Sequence, residues 1–120
     1  MAAYVISDVT IRDAEAIEAY RAHAAASIAQ HGGRYLVRGG EVEMLEGDWS
    51  PGPLIIVEFP DMDTARRWYR SAEYAAALEL RDAALSRNLI LVAGISALIN
   101  PSSRRAAPRR NRTGRAGDLV

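Results

Sequence analysis

The chain has 120 residues, 49% of them hydrophobic and 25% charged, which gives room for one domain with a core and too little for two. Its formal net charge is zero, so the whole molecule has no general attraction for nucleic acid or an anionic membrane. It contains no cysteine and all 15 basic residues are arginine, which excludes thiol nucleophiles, disulfides, thiolate metal sites and Schiff-base lysines.

The zero net charge conceals an asymmetry: residues 101–120 carry six arginines and one aspartate, net +5, against nine arginines and fourteen acids, net −5, in residues 1–100. Met1-Ala2-Ala3-Tyr4 has no charged or apolar leader character, and no apolar run is long enough to span a bilayer. A soluble cytoplasmic protein with no membrane contact is expected.

In chain order, Tyr4 to Ile11 alternates β-branched and aromatic residues and predicts a strand. Asp13 offers an N-cap oxygen to a helix running to His31, with Ile17, Tyr20, Ala24, Ile28 and His31 at helical spacing and Gly32-Gly33 closing it. Arg34 to Arg38 is a second strand. Gly39-Gly40 interrupts it as a bulge or a place of close approach, and Glu41 to Leu45 resumes an extended pattern. After the loop Gly47 to Pro53, the nearly continuous apolar run Leu54 to Phe59 predicts a central strand. Pro60 ends that strand, and Asp61 and Asp63 start a short helix through Trp68 and Tyr69. Ser71 caps a further helix to about Arg87, and Asn88 to Ile95, extended toward Ile99, forms the fourth strand.

The order β-α-β-β-α-β, with its second helix broken at Ser71, is the α+β, ferredoxin-like plan: a four-stranded antiparallel sheet with helices on one face. Apolar residues on both strand faces require cover on the second face, and a second copy is the economical source of it. Two segments follow: a domain over residues 1–100 and an arginine-rich tail over 101–120, which is too polar to fold.

Several blocks together resemble one known family. They are Gly32-Gly33-Arg34-Tyr35-Leu36-Val37-Arg38-Gly39-Gly40, Leu45-Glu46-Gly47-Asp48-Trp49, Val57-Glu58-Phe59-Pro60, Trp68-Tyr69-Arg70-Ser71-Ala72-Glu73-Tyr74 and the later Arg81. In this order they resemble the bacterial family called domain of unknown function 1330, of the dimeric α/β-barrel superfamily, over roughly residues 3–96. Ala72 stands where the family pattern has proline, and alanine also suits a first helical position. The resemblance implies two copies joining their sheets into a barrel, with a pocket between each sheet and its helices or at the barrel mouth. The wider superfamily includes cofactor-free monooxygenases, polyketide cyclases, lactone isomerases and haem-binding enzymes, so the fold permits small-molecule chemistry without selecting it.

Polar groups in apolar settings supply the candidates. Arg81 falls on a stripe with Tyr74, Leu78 and Leu85, where a guanidinium must hold a substrate anion, pair internally (most simply with Glu58) or reach solvent. Arg38 precedes Gly39 and Gly40, where a ligand could approach the backbone beside a positive charge. Glu58 interrupts an apolar strand, either paired to arginine or free to act as a general acid or base. His31 is expected to cap its helix, and it is also the one imidazole facing the sheet that could shuttle a proton. His23, eight residues away and roughly 80° around the helix, makes no shared metal site with it. Tyr20, Tyr35, Tyr74 and Trp49 either line a pocket or, with Trp68, fill the core. Glu46 and Asp48, flanking Gly47 beside Trp49, could bind a cation or take a proton, but a solvated loop is the expected reading. The tail lacks interleaved aromatics, so nucleic acid is not an expected partner.

The reading is a cofactor-independent homodimeric enzyme doing proton-transfer chemistry of isomerase, cyclase or lyase type on an anionic or carbonyl-bearing metabolite. Arg38 and Arg81 would stabilise negative charge, and Glu58 or His31 would move the proton. A cofactor-free monooxygenase, a non-catalytic metabolite-binding protein and an accessory subunit are the alternatives. No metal and no cofactor are expected.

Overall fold

Alternation along the first strand decides which way the sheet faces. The computed structural model describes residues 1–95; the expected extension of the last strand to Ile99 and the arginine-rich tail lie outside them. In β1 (Ala3–Ile11) the side chains of Ala3, Val5, Ser7 and Val9 are buried while Tyr4, Ile6 and Asp8 are only half-covered. The other elements are α1 (Ala14–Gln30), β2 (Arg34–Arg38), β3 (Leu54–Phe59), α2 (Met62–Tyr69), α3 (Ala72–Ala84) and β4 (Leu85–Ala93). The four strands pair antiparallel in the order β2-β3-β1-β4, which is the ferredoxin-like α+β topology. As its apolar sequence indicates, β3 is an interior strand.

Local chemistry starts the helices, and ends α1, where the sequence indicates. The Asp13 carboxylate accepts from the backbone N–H groups of Glu15 and Ala16, Asp61 from that of Thr64, and the Ser71 hydroxyl from that of Tyr74. Gly32 follows the end of α1 at φ 77°, a left-handed position that suits glycine.

Both long helices lie against one face of the sheet. Ile17, Tyr20, Ala24, Ser27 and Ile28 of α1 and Tyr74, Ala77 and Ala84 of α3 are buried against Val5, Val9, Val57 and Phe59. Trp68 sits at the centre of an aromatic cluster, its ring centroid 5.2 Å from Phe59 and 4.2 Å from Tyr74. Its indole N–H donates to Ser27 Oγ at 3.0 Å, and Ser27 donates on to the Ala24 carbonyl, so the buried polar atoms are satisfied.

Three expectations need correction. Glu41 to Leu45 forms no strand; residues 39–53 are an exposed connection without regular structure. Its return is pinned by Asp8, which accepts from the Trp49 indole at 3.0 Å and the Gly52 N–H at 2.9 Å. At Gly52 a side chain would collide with the Val9 carbonyl oxygen, so the anchor requires glycine. The bulge lies within β2, before the glycines: the β2–β3 register shifts between Tyr35 and Val37. Finally, α3 ends at Ala84 and not at Arg87, because Leu85 is already extended and pairs with Ile11. The consequence is that Arg87 belongs to a strand.

Candidate functional site

The bulge and the early start of β4 both act on the same space. Across β2 and β3, Tyr35 faces Val57, and the extra residue then places Arg38 opposite Ile55. Ile55 and Val57 belong to the helix-covered face, so the bulge puts Tyr35 and Arg38 together on that face. The Arg38 guanidinium lies 4.3 Å from the centre of the Tyr35 ring, a cation–π contact. In β4, Leu85, Arg87, Leu89 and Leu91 alternate with Ser86, Asn88 and Ile90, and the first set points toward the helices.

Between this face and α1 lies a cavity of about 550 Å³, walled by Val5, Val9, Ile17, Ala24, Ile55 and Leu89 among other apolar groups. Its polar content is concentrated. Arg87 donates to the Tyr20 hydroxyl at 2.6 Å and to the Tyr74 hydroxyl at 2.8 Å, and the two hydroxyls are 2.8 Å apart. Arg38, Gly39, Arg21 and Glu18 also line the cavity, with Arg21 and Glu18 paired at 3.2 Å on exposed positions of α1. Ser7 is buried in the sheet wall.

Proton counting gives this cluster a direction. Each phenol oxygen accepts from the guanidinium, and one phenol donates to the other. The second phenol's O–H is then left to donate elsewhere. Burial raises the pKa of Tyr74, as does the neighbouring Tyr20, and Arg87 opposes the shift only in part. Burial likewise raises Tyr35, against the opposing charge of Arg38. Tyr74 and Tyr35 are therefore held as neutral phenols at neutral pH, each beside a guanidinium. An oxygen of a ligand in the cavity would meet a polarised O–H, the arrangement that favours its anionic form.

Of the residues the sequence singles out, Arg38, Tyr20, Tyr35, Gly39 and Tyr74 line the cavity and Arg81, Glu58, His31, Gly40 and Trp49 do not. Glu58 points to the opposite face of the sheet, where Arg34 Nε donates to it at 2.7 Å and the Tyr4 hydroxyl at 3.3 Å. Its arginine partner is thus Arg34, and the expected Arg81–Glu58 pair is not formed. Arg81 reaches solvent at the rim of α3, where its Nε donates to Asp82 at 3.2 Å. His31 caps α1: its Nδ1 is 3.0 Å from the Ser27 carbonyl and its Nε2 3.9 Å from Glu73. Trp49 is 58% exposed and is spent on the Asp8 anchor. Around Gly39 and Gly40 there is open space, so neither admits a close neighbour; Gly39, at φ 75°, instead lets its N–H close the ladder to the Leu54 carbonyl at 2.8 Å.

Arg87 escapes sequence reasoning because a helix drawn through it removes it from the sheet. The available signal is the period-2 row Leu85, Arg87, Leu89, Leu91, an arginine in an otherwise inward apolar row. Among the described residues no group of three His, Cys, Asp or Glu side chains could hold a metal ion, and no helix is long and apolar enough to cross a membrane.

The family described as Domain of unknown function (DUF1330) matches residues 2–95. The chain belongs to this family. No curated protein matches it in sequence. Among solved structures, this DUF1330 chain is similar to the RPA0582 protein of unknown function from Rhodopseudomonas palustris, with a TM-score of 0.65 and 23% identity over 79% of this chain and 83% of that one. It is also similar to SnoaB, a cofactor-independent oxygenase from Streptomyces nogalater, with a TM-score of 0.57 and 18% identity over 81% of this chain and 96% of that one. A third likeness is to Rv0793 from Mycobacterium tuberculosis, with a TM-score of 0.53 and 15% identity over 80% and 97% of the two chains. At these identities the likenesses show a shared fold.

Proposed function

We propose that this DUF1330 protein is a cofactor-independent enzyme that binds a small phenolic or enolisable metabolite in the sheet–helix cavity and stabilises its oxyanion. The observation that carries the reading is the double donation of Arg87 to the Tyr20 and Tyr74 hydroxyls on the wall of a mainly apolar cavity. A phenol pair backed by a guanidinium lowers the energy of an enolate or phenolate relative to its conjugate acid, and so lowers the barrier to removing a proton next to a carbonyl. Arg38, held over Tyr35, adds a second cation for an anionic substrate. The proton leaves to solvent at the cavity mouth, because Glu18, the carboxylate of the lining among the described residues, is paired with Arg21; returning it at another atom gives isomerisation, and bond formation or cleavage from the enolate gives the cyclase or lyase types.

A second reading, a cofactor-free monooxygenase, is favoured by the composition of the cavity lining. Among the described residues its carboxylates reduce to Glu18, exposed and already paired with Arg21. A site rich in donors and poor in bases suits a substrate acidic enough to ionise by itself, and such a carbanion can react with dioxygen. The likeness to SnoaB, described as a cofactor-independent oxygenase, supports this reading by fold alone. The proposal further includes a homodimer, supported by the apolar open face of the sheet described below.

Titration of the protein with p-nitrophenol, read at the phenolate absorbance, tests the site. The bound probe should ionise with an apparent pKa lower by about one unit or more, a tenfold preference for the anion. Tyr20→Phe should reduce the shift and Arg87→Met remove it, with thermal melting confirming that each variant is folded. Binding without any shift, or a shift untouched by both variants, overturns the reading. Oxygen uptake during turnover of an enolisable substrate separates the monooxygenase from the isomerase, cyclase or lyase.

A further inference from the structure

Arg87 has a second side. The inner cavity accounts for two of its five N–H groups, both given to phenol hydroxyl oxygens. Among the described residues the ion pairs to arginine are those of Arg21, Arg34, Arg66 and Arg81, so this half-buried guanidinium has no carboxylate partner. A cation taken partly out of water calls for a counter-ion.

Behind it, at the β4 edge of the sheet, lies a separate cleft of about 310 Å³ lined by Arg12, Arg81, Arg87, Asp82, Tyr69 and Ser86 with the flanking leucines. Three guanidiniums face one carboxylate there, and that carboxylate is 86% exposed and engages Arg81. Arg12 is fixed in place by donating to the Asp82 carbonyl at 2.9 Å, an acceptor that uses one N–H and leaves the rest of its fork. The cleft thus combines positioned donors, an excess of positive charge and a hydroxyl, and Arg87 is common to it and to the inner cavity.

We propose that this outer cleft binds a small oxyanion, of the carboxylate or phosphate type, as the counter-ion of Arg87. Occupation also tempers the inner site: an anion shared by Arg87 draws on the charge that polarises Tyr20 and Tyr74, so it weakens the preference of the inner cavity for a ligand anion. By linkage the effect is reciprocal. This second part rests on the reading of the inner cavity as an oxyanion-stabilising site.

Inorganic phosphate, and separately acetate, titrated into the full-length 15N-labelled protein at constant ionic strength with no inner ligand, tests the site through the arginine Nε–H resonances. Saturable shifts confined to Arg12, Arg81 and Arg87 are expected. The double variant Arg12→Gln/Arg81→Gln should bind about tenfold or more weakly, while Tyr20→Phe should bind as before. Tighter binding of phosphate or of acetate assigns a phosphoryl or a carboxylate ligand. Non-saturating shifts, affinity unchanged in the double variant, or affinity lost in Tyr20→Phe would each overturn the outer site; the last would place the anion in the inner cavity. With p-nitrophenol present, phosphate should raise the probe's apparent pKa in the parent protein and not in the double variant. Failure of p-nitrophenol to bind sinks the inner reading and the tempering with it, whereas the phosphate titration alone decides the outer site.

Discussion

The two faces of one sheet are built from neighbouring residues of the same strands and are opposite in character. On the covered face, Val5, Val57 and Phe59 are buried, yet Tyr20, Tyr74 and Arg87 form a hydrogen-bonded polar cluster among them. On the open face, Ile90 is 59% and Val92 43% exposed, and Ile6 of β1 pairs with Ile90 on one side and with Ile56 on the other. Polarity is therefore concentrated where water is scarce and apolar surface where water is plentiful. Each inversion raises the free energy of the isolated chain, and under the proposed function each would be relieved by a different guest: a polar-headed ligand inside, an apolar surface outside. The Arg34–Glu58–Tyr4 cluster at the margin of the open face shows the same economy, since its charges are mutually satisfied and leave the apolar patch beside them unbroken.

The largest expected effect is on the covered face. Phe59 is fully buried against Trp68, and Phe59→Ala should lower folding stability by about 3–5 kcal/mol, measured by urea denaturation. A loss under about 1 kcal/mol would mean that this face is not the organising core, and the distinction between the two faces would collapse.

Next is the open face. If a second copy covers it, Ile90→Arg should leave the subunit folded and weaken dimerisation by about a hundredfold or more, as two fully solvated charges are brought into a symmetric apolar contact. Analytical ultracentrifugation of parent and variant reads the change. A parent protein that is monomeric at micromolar concentration would remove the guest assigned to this face and leave its apolar surface without an explanation.

How much of this was legible in the sequence depends on the range of the signal. Caps act within four residues, and Asp13, Asp61 and Ser71 are each identified with their helices. Strand alternation in β1 and the apolar run of β3 are equally local, and with the two helices they are enough for the topology. The inner site rests on long-range coincidences. Leu36 carries no mark of a bulge, because the register shift that swings Arg38 inward is imposed by β3. The end of α3 is imposed by pairing of Leu85 with Ile11, against an alanine- and leucine-rich sequence that favours continued helix, and local helix propensity therefore gives no sign that Arg87 belongs to the sheet. Arg81 falls on an apolar stripe, yet a stripe position at the rim of a helix lets a long side chain reach water.

The smallest expected effect belongs to the caps, and it sharpens the comparison because it touches only the covered layer. Asp13 and Asp61 begin α1 and α2, and both carboxylates titrate below their ordinary range. For Asp13 the cause is donation from the Ala16 and then the Glu15 N–H; for Asp61 it is hydrogen bonding to the Thr64 side chain and then its backbone. A folded-state pKa lowered relative to the unfolded chain means that the stabilisation is complete above the ordinary carboxylate range and is lost as pH falls through the lowered values. Both groups are fully exposed, so the contribution is small. Asp13→Ala combined with Asp61→Ala should reduce the melting temperature at neutral pH and flatten its decline at acid pH. The same double variant should leave the dimerisation constant unchanged, because neither cap touches the open face. A dimer weakened along with the caps would mean that the two faces are energetically coupled through the sheet, and that the helical layer helps to hold the shape the second copy recognises.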